Sequence, residues 1–258
     1  MHILTTHLRP QLRPLLRHLV LIANFAACSL AYADSAINLP PSVDLQYAIK
    51  ARQKGLSVSG EALVKWQLAE QKNKKTYTLL TETRVMLFGK ILEANSYGNI
   101  DEFGVAPDKY VEKRFGKDAT TTSFDRNKKT IQFTASNDNY AIKGGEQDRS
   151  SATWQLVALA RAAGDKFSPG SEWKMFVAGR RDAEAWSFKV AEVVTLNTAL
   201  GEFSTVHIIK APPPDSKDQQ LEIWLAPKLE WYPVRLKFTD ADGDIVDQTL
   251  SSINKQRE

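Results

Sequence analysis

Cysteine and histidine are scarce in this chain, with one Cys and four His among 258 residues. Cys28, His2, His7 and His18 all fall in the first 33 residues, which leaves His207 as the sole later imidazole. If the chain is cut after Ala33, the remainder has no thiol. Disulfides, cysteine nucleophiles, thiolate metal centres and a histidine-cluster metal site are then excluded. Phosphate-cradling glycine motifs are missing too, because Lys143-Gly144-Gly145 lacks the spacing. No Gly-x-Ser-x-Gly elbow accompanies His207, so a nucleophilic triad has no sequence support. No catalytic residue, metal site or cofactor is expected.

Acidic residues are absent from positions 1–33, where Arg9, Arg13 and Arg17 precede an apolar run from Leu19 to Leu30. Small residues follow at Ala31-Tyr32-Ala33, then Asp34. A cationic start, an apolar middle and a small-residue cut site are the parts of a bacterial secretory signal. The run holds 12 residues and is broken by Asn24, whereas a membrane-spanning helix needs about 20. Cleavage between Ala33 and Asp34 is the expectation, and it places the protein in the periplasm. The alternative is a lipoprotein box at Phe25-Ala26-Ala27-Cys28, with Cys28 acylated and the protein anchored to an envelope membrane.

Removing residues 1–33 also changes the charge. Of 34 basic and 30 acidic residues, the segment takes three basic and no acidic ones, which leaves 31 against 30. A net charge of +1 gives no support for a nucleic-acid partner, which needs a clustered basic face. Residues 34–258 are long enough for one sizeable core, and no long low-complexity linker divides them. A monomer is expected.

The dominant period along residues 34–258 is two. Val43, Leu45, Tyr47 and Ile49 alternate with polar or small neighbours. Leu56, Val58, Gly60, Ala62, Val64, Trp66 and Leu68 share one face of a longer run, with Gly60 as a bend or bulge. Polar clusters at Lys72–Lys75, Asp101–Gly104, Asp125–Lys128 and Ser136–Asn139 punctuate further runs as hairpin turns. One segment departs from this pattern. Ser150 to Ala163 has helix formers without Gly or Pro, capping candidates in Asp148, Ser150 and Ser151, and Gly164 at its end. Its apolar side is so wide that it must bury most of its circumference. The predicted fold is mainly β: a single curved antiparallel sheet of roughly ten to twelve strands, a half-barrel or open barrel, packed around one main helix.

Candidate chemistry is sparse. Asp240-Ala241-Asp242-Gly243-Asp244 resembles the start of a calcium loop, but its Gly is fourth and Ser251 stands twelfth. An EF-hand loop needs Gly at about the sixth and Glu at about the twelfth position, so a hairpin turn is favoured. His207 sits inside a strand between Val206 and Ile208. Tryptophan is plentiful by contrast. Trp66, Trp186 and Trp231 lie in phase with the apolar faces of their runs, and Trp154 and Val157 lie on the helix. Core packing is one reading of these five residues. An aromatic-lined site for an apolar ligand is the functional one. Trp224 is out of phase with Leu221, Ile223 and Leu225 and is expected on the other face.

Gly145-Glu146-Gln147-Asp148-Arg149-Ser150-Ser151, running into Trp154-Gln155-Leu156, resembles the central signature of an exported proteobacterial family. So does Glu222-Ile223-Trp224-Leu225 through Tyr232-Pro233-Val234-Arg235-Leu236 to Asp242-Gly243. That family is known as domain of unknown function 3108. The resemblance implies an envelope protein and supplies no activity. The C-terminal pattern is also similar to periplasmic lipoprotein carriers, which wrap a curved sheet around helices and hold acyl chains in the hollow. Two functions follow as expectations. The first is a non-enzymatic periplasmic protein that binds a lipid, lipoprotein or other apolar ligand. The alternative is an envelope adaptor acting through protein contacts.

Overall fold

The computed structural model describes residues 37–86, 88–212 and 219–255. The cut-site residues Ala33 and Asp34, and Cys28, lie outside them. The strands are β1 (Val43–Gln53), β2 (Leu56–Gln71), β3 (Lys74–Val85), β4 (Gly89–Asp101), β5 (Gly104–Arg114), β6 (Thr120–Asp125), β7 (Thr130–Phe133), β8 (Asn139–Ala141) and β9 (Gln147–Asp148). Helix α1 (Ser151–Ala163) follows, then β10 (Glu172–Ala178), β11 (Ala183–Thr198), β12 (Gly201–Lys210), β13 (Gln220–Leu225), β14 (Pro233–Thr239) and β15 (Ile245–Lys255). Fifteen strands among the described residues form one sheet, more than the ten to twelve expected. The excess includes β9, two residues long and too brief to show a period in sequence.

The sheet is two meanders joined through their outermost strands. β1 to β8 run in chain order one way, β15 to β10 the other, and β1 pairs antiparallel with β15 in the middle. β9 adds to β10 in parallel, the one parallel pair among the described residues. Within each meander, strands consecutive in the chain pair antiparallel. At Lys72 and Asn73 both φ angles are positive, 49° and 61°, the geometry that matches strand twist in a two-residue turn. Gly60 is no bulge, since its register runs unbroken to Ile49 and Val85. It is a close approach instead: a Cβ there would stand 2.3 Å from the Arg84 carbonyl oxygen.

The two ends of the sheet meet through side chains. Thr122 on β6 donates its hydroxyl to the Gly179 carbonyl (2.7 Å), and Ser136 donates to that of Arg181. Phe124, Ile131, Tyr140, Phe176, Ala178 and Ala183 pack along this seam. Helix α1 lies in the hollow so formed. One core cluster places its Trp154 with Val43, Leu45, Tyr47, Trp66, Tyr77 and Tyr232. The other places Leu156, Val157 and Ala160 with Phe188, Ile208 and Ile223. Arg161 ties the C-terminal turn of the helix to Glu230, its Nη1 2.5 Å from Oε2 and 3.1 Å from the carbonyl oxygen.

Candidate functional site

The five predicted ligand-contacting residues all border α1, but the helix separates them. Trp66 and Trp154 stack at 4.6 Å between ring centroids, 8° from parallel, and Tyr77 and Tyr232 flank them. Val157 and Trp186 lie in the second cluster, with Trp231 packed at its margin. Trp231 is not in a strand: β14 starts at Pro233, and Trp231 occupies the preceding connection with φ 61°. There it meets Phe167 edge-on at 5.7 Å. Trp66 and Trp154 thus meet each other, whereas Trp186 meets Phe188 and Trp231 meets Phe167. The polar edges of two of the tryptophans, and of the flanking Tyr232, have partners as well. Trp66 Nε1 donates to Pro40 O (3.1 Å), Trp186 Nε1 to Glu184 Oε1 (2.6 Å) and Tyr232 to Pro41 O (2.9 Å).

A polar network fills the space at the N-terminus of α1. Asp148 is fully buried. Its Oδ1 accepts the backbone N–H groups of Ser150 and Ser151, both at 2.8 Å, and its Oδ2 accepts the Ser96 hydroxyl at 2.5 Å. Ser151 Oγ accepts the Asp148 N–H in return (2.9 Å). Ser150 stands at the N-cap position without a side-chain bond, and the Asp148 carboxylate, two residues earlier, takes up the first N–H groups and faces the positive end of the helix. Burial pushes the Asp148 carboxyl up to about 6 in spite of these donors. Tyr77, hydrogen-bonded to Ser96 at 2.8 Å, titrates well above the usual phenol range because of burial and then the Asp148 charge.

Two glutamines extend the network. Gln155 Oε1 accepts Val105 N–H (2.8 Å) and its Nε2 donates to Phe103 O (2.7 Å). Gln147 Nε2 donates to Val105 O (2.6 Å). Helix α1 is thereby bonded to the backbone of the β4–β5 turn. The hydroxyls and the Asp148 carboxylate bond one another and the glutamine amides bond backbone, while the buried Gln147 Oε1 has no partner. Such a network fixes position at a desolvation cost.

Trp224 is on the strand face opposite Leu221 and Ile223, as its phase predicts, yet it is buried and belongs to the first core cluster. His207 stacks on it at 4.3 Å, 3° from parallel, and the Arg235 guanidinium lies 4.6 Å from the ring centre. His207 Nε2 is 3.1 Å from Glu222 and Nδ1 3.4 Å from Glu192. Glu222 is buried, which opposes its charge, but Lys237 at 2.9 Å and His207 hold its carboxyl below the usual range. Asp240 turns its carboxylate onto Asp242 and Asp244 N–H groups (3.0 and 2.9 Å), closing the β14–β15 hairpin. Surface concavities lie outside the barrel. One of about 470 Å³ is walled by Lys65, Gln67, Thr78, Leu80, Asn95 and Tyr97.

The model of the family described as "protein of unknown function (DUF3108)" matches residues 46–251. This chain belongs to the DUF3108 family. The Gly145–Ser151 signature is the polar network at the head of α1, and the Glu222–Leu236 signature carries the Trp224 stack. A search of curated proteins finds no match. Among solved structures the chain is similar to a β-barrel-like protein of domain of unknown function DUF1849 from Brucella abortus. There the TM-score is 0.56 at 11% identity, over 86% of this chain and 100% of that one. A putative exported protein with a YmcC-like fold from Bacteroides fragilis aligns at a TM-score of 0.39 and 10% identity, over 85% of this chain and 100% of that one.

Sequence reasoning missed the network. Its available signal was an unbroken polar run, Glu146 to Ser151, leading straight into an apolar helix that has to be buried. A helix of that kind carries its first residues into the interior with it.

Proposed function

We propose that this DUF3108 protein is a non-enzymatic, exported protein of the bacterial envelope. In this reading it binds a lipid, lipoprotein or other apolar ligand with its outer surface and not in the hollow of its sheet. The observation that carries this is the distribution of apolar surface. The interior is occupied by α1 and its aromatic neighbours, with Trp66, Trp154 and Val157 buried. Large apolar side chains stand in solvent instead, including Leu56, Met86, Phe88 and Phe115. Exposed apolar groups gathered in one place mark contact surfaces. The barrel then serves as a rigid support.

The test is to recover the protein from membrane-containing cells, extract it for mass spectrometry, and follow tryptophan fluorescence on adding fatty acid. Co-purifying lipid or lipoprotein with unchanged tryptophan emission supports the reading. A stoichiometric lipid that shifts the emission returns the ligand to Trp66, Trp154 and Trp186. No associated lipid or lipoprotein sinks it and leaves the adaptor reading. Adaptor contact by strand addition is disfavoured, because the sheet ends in strands of only three and two residues.

A further inference from the structure

Three hairpin tips at one end of the barrel share an unusual composition. In an antiparallel meander alternate turns fall at the same end, so β1–β2, β3–β4 and β5–β6 turn side by side. Strands about 4.8 Å apart put such tips about 10 Å from one another. Each carries a large apolar side chain into solvent: Leu56 is 70% exposed, Met86 87%, Phe88 59% and Phe115 65%. Phe88 and Phe115 reach across two tips to meet edge-on at 6.4 Å.

Charge is concentrated on the same tips. Residues 50–56, 84–90 and 112–118 hold eight cations and two acids, Glu112 and Asp118. That is +6 in a chain whose residues 34–258 total +1, so the remainder of those residues is net negative. Glu82 and Glu93 engage Lys90 (2.7 and 2.5 Å), and Glu112 engages Arg114 (2.5 Å). Lys50, Arg52, Lys54, Lys113 and Lys117 have no carboxylate within ion-pair distance among the described residues. Beside Phe115 lies a concavity of about 280 Å³ walled by Lys90, Leu92, Glu93, Lys113 and Arg114, three cations against one acid. The acidic β14–β15 turn bounds the arc, with Asp244 accepting the Lys54 N–H at 2.7 Å.

Resting on the proposed binding role, we infer that this rim docks on an anionic lipid bilayer, with Leu56, Met86, Phe88 and Phe115 entering the headgroup–acyl boundary. Apolar tips ringed by cations match that surface in both respects: the side chains leave water, and the lysines and arginines meet lipid phosphates. A soluble protein partner would satisfy the apolar groups but gives no reason for the unpaired positive charge on the β1–β2 and β5–β6 tips; at the β3–β4 tip Arg84 and Lys90 are paired with Glu82 and Glu93.

The experiment is vesicle co-sedimentation with the protein as its cells accumulate it. Phosphatidylcholine vesicles are compared with vesicles that also contain phosphatidylglycerol. Binding to the anionic vesicles, weakening as salt is raised, is the expected result. Phe88→Ser with Phe115→Ser should reduce it by roughly tenfold or more, and Lys113→Glu with Lys117→Glu by a similar factor. Lys72→Glu with Lys74→Glu, at the other end of the barrel, should leave it unchanged. All these side chains are exposed, so melting curves should superimpose. Equal binding by the tip variants, or equal binding to both vesicle types, overturns the inference. Failure of the unmutated protein to sediment also overturns it, while lipid or lipoprotein found by extraction would still uphold the broader binding role.

Discussion

The segment Asp148–Trp154, which leads into helix α1, is held by opposite means at its two ends. Around Trp154 the contacts are aromatic, with a parallel stack on Trp66 and edge contact with Tyr232. At Asp148 and Ser151, one turn earlier, they are hydrogen bonds between groups with no access to water. The aromatic end gains from burial and tolerates some sliding, since dispersion is weakly directional. The polar end costs desolvation and tolerates no sliding, because every donor has a designated acceptor. Together they teach that the helix is gripped for energy at one point and for register at another.

Removing the grip for energy should have the largest effect. Trp154→Ala is expected to cost about 3–5 kcal/mol, through lost transfer energy and the cavity left between Trp66 and Tyr232. A denaturant melt checks this. Paired with Trp66→Ala the losses should be strongly non-additive, and simple additivity would break the picture of one stack.

The polar end should reveal itself through pH. The folded Asp148 keeps its proton to about 6, whereas an unfolded aspartate releases it near 4. Between those values the folded state binds more protons, so stability is fullest below about pH 4 and falls as pH rises through about 6. The loss amounts to about 3 kcal/mol at 1.36 kcal/mol per unit. Asp148→Asn keeps the acceptor for the Ser150 and Ser151 N–H groups and should flatten this part of the stability–pH profile. An unchanged slope in the variant would assign the titration elsewhere.

Gly104→Ala probes the junction of helix and sheet. At φ 111° an added Cβ would stand 2.4 Å from Gln155 Oε1. A loss of about 2 kcal/mol is expected, from backbone strain and the displaced amide. Restoration by shortening Gln155 to Ala would mean that collision outweighs strain. The smallest effect should come from the strand face that carries Trp224. Arg235→Lys gives up a two-point contact with Asp247 (2.9 and 2.5 Å) and stacking on Trp224, for about 1 kcal/mol in a melt.

Much of the architecture was legible in the residues. Alternation in Val43–Ile49 and Ala62–Trp66 names the inward face, and the apolar breadth of Ser151–Ala163 demands a helix enclosed by sheet. Trp224 is on the face its phase assigns. What fails to show is burial on that face: nothing in Glu222 or Arg235 locally says that His207, on another strand, will cover an indole. Trp231 fails for a related reason. Its run looks continuous with β14, but residues 230 and 231 both take positive φ to turn the chain.

Local chemistry therefore determined the period, the turn positions, the single helix and the shortage of reactive side chains, because each depends on neighbours a few residues apart. Tertiary structure alone decided that β1 and β15 pair across the whole length of the domain. It likewise decided that Asp148 meets Ser96 in the interior, and that Leu56, Phe88 and Phe115 share one rim. Those outcomes rest on which strands become adjacent, and adjacency between distant segments is set by the closure of the whole sheet around α1.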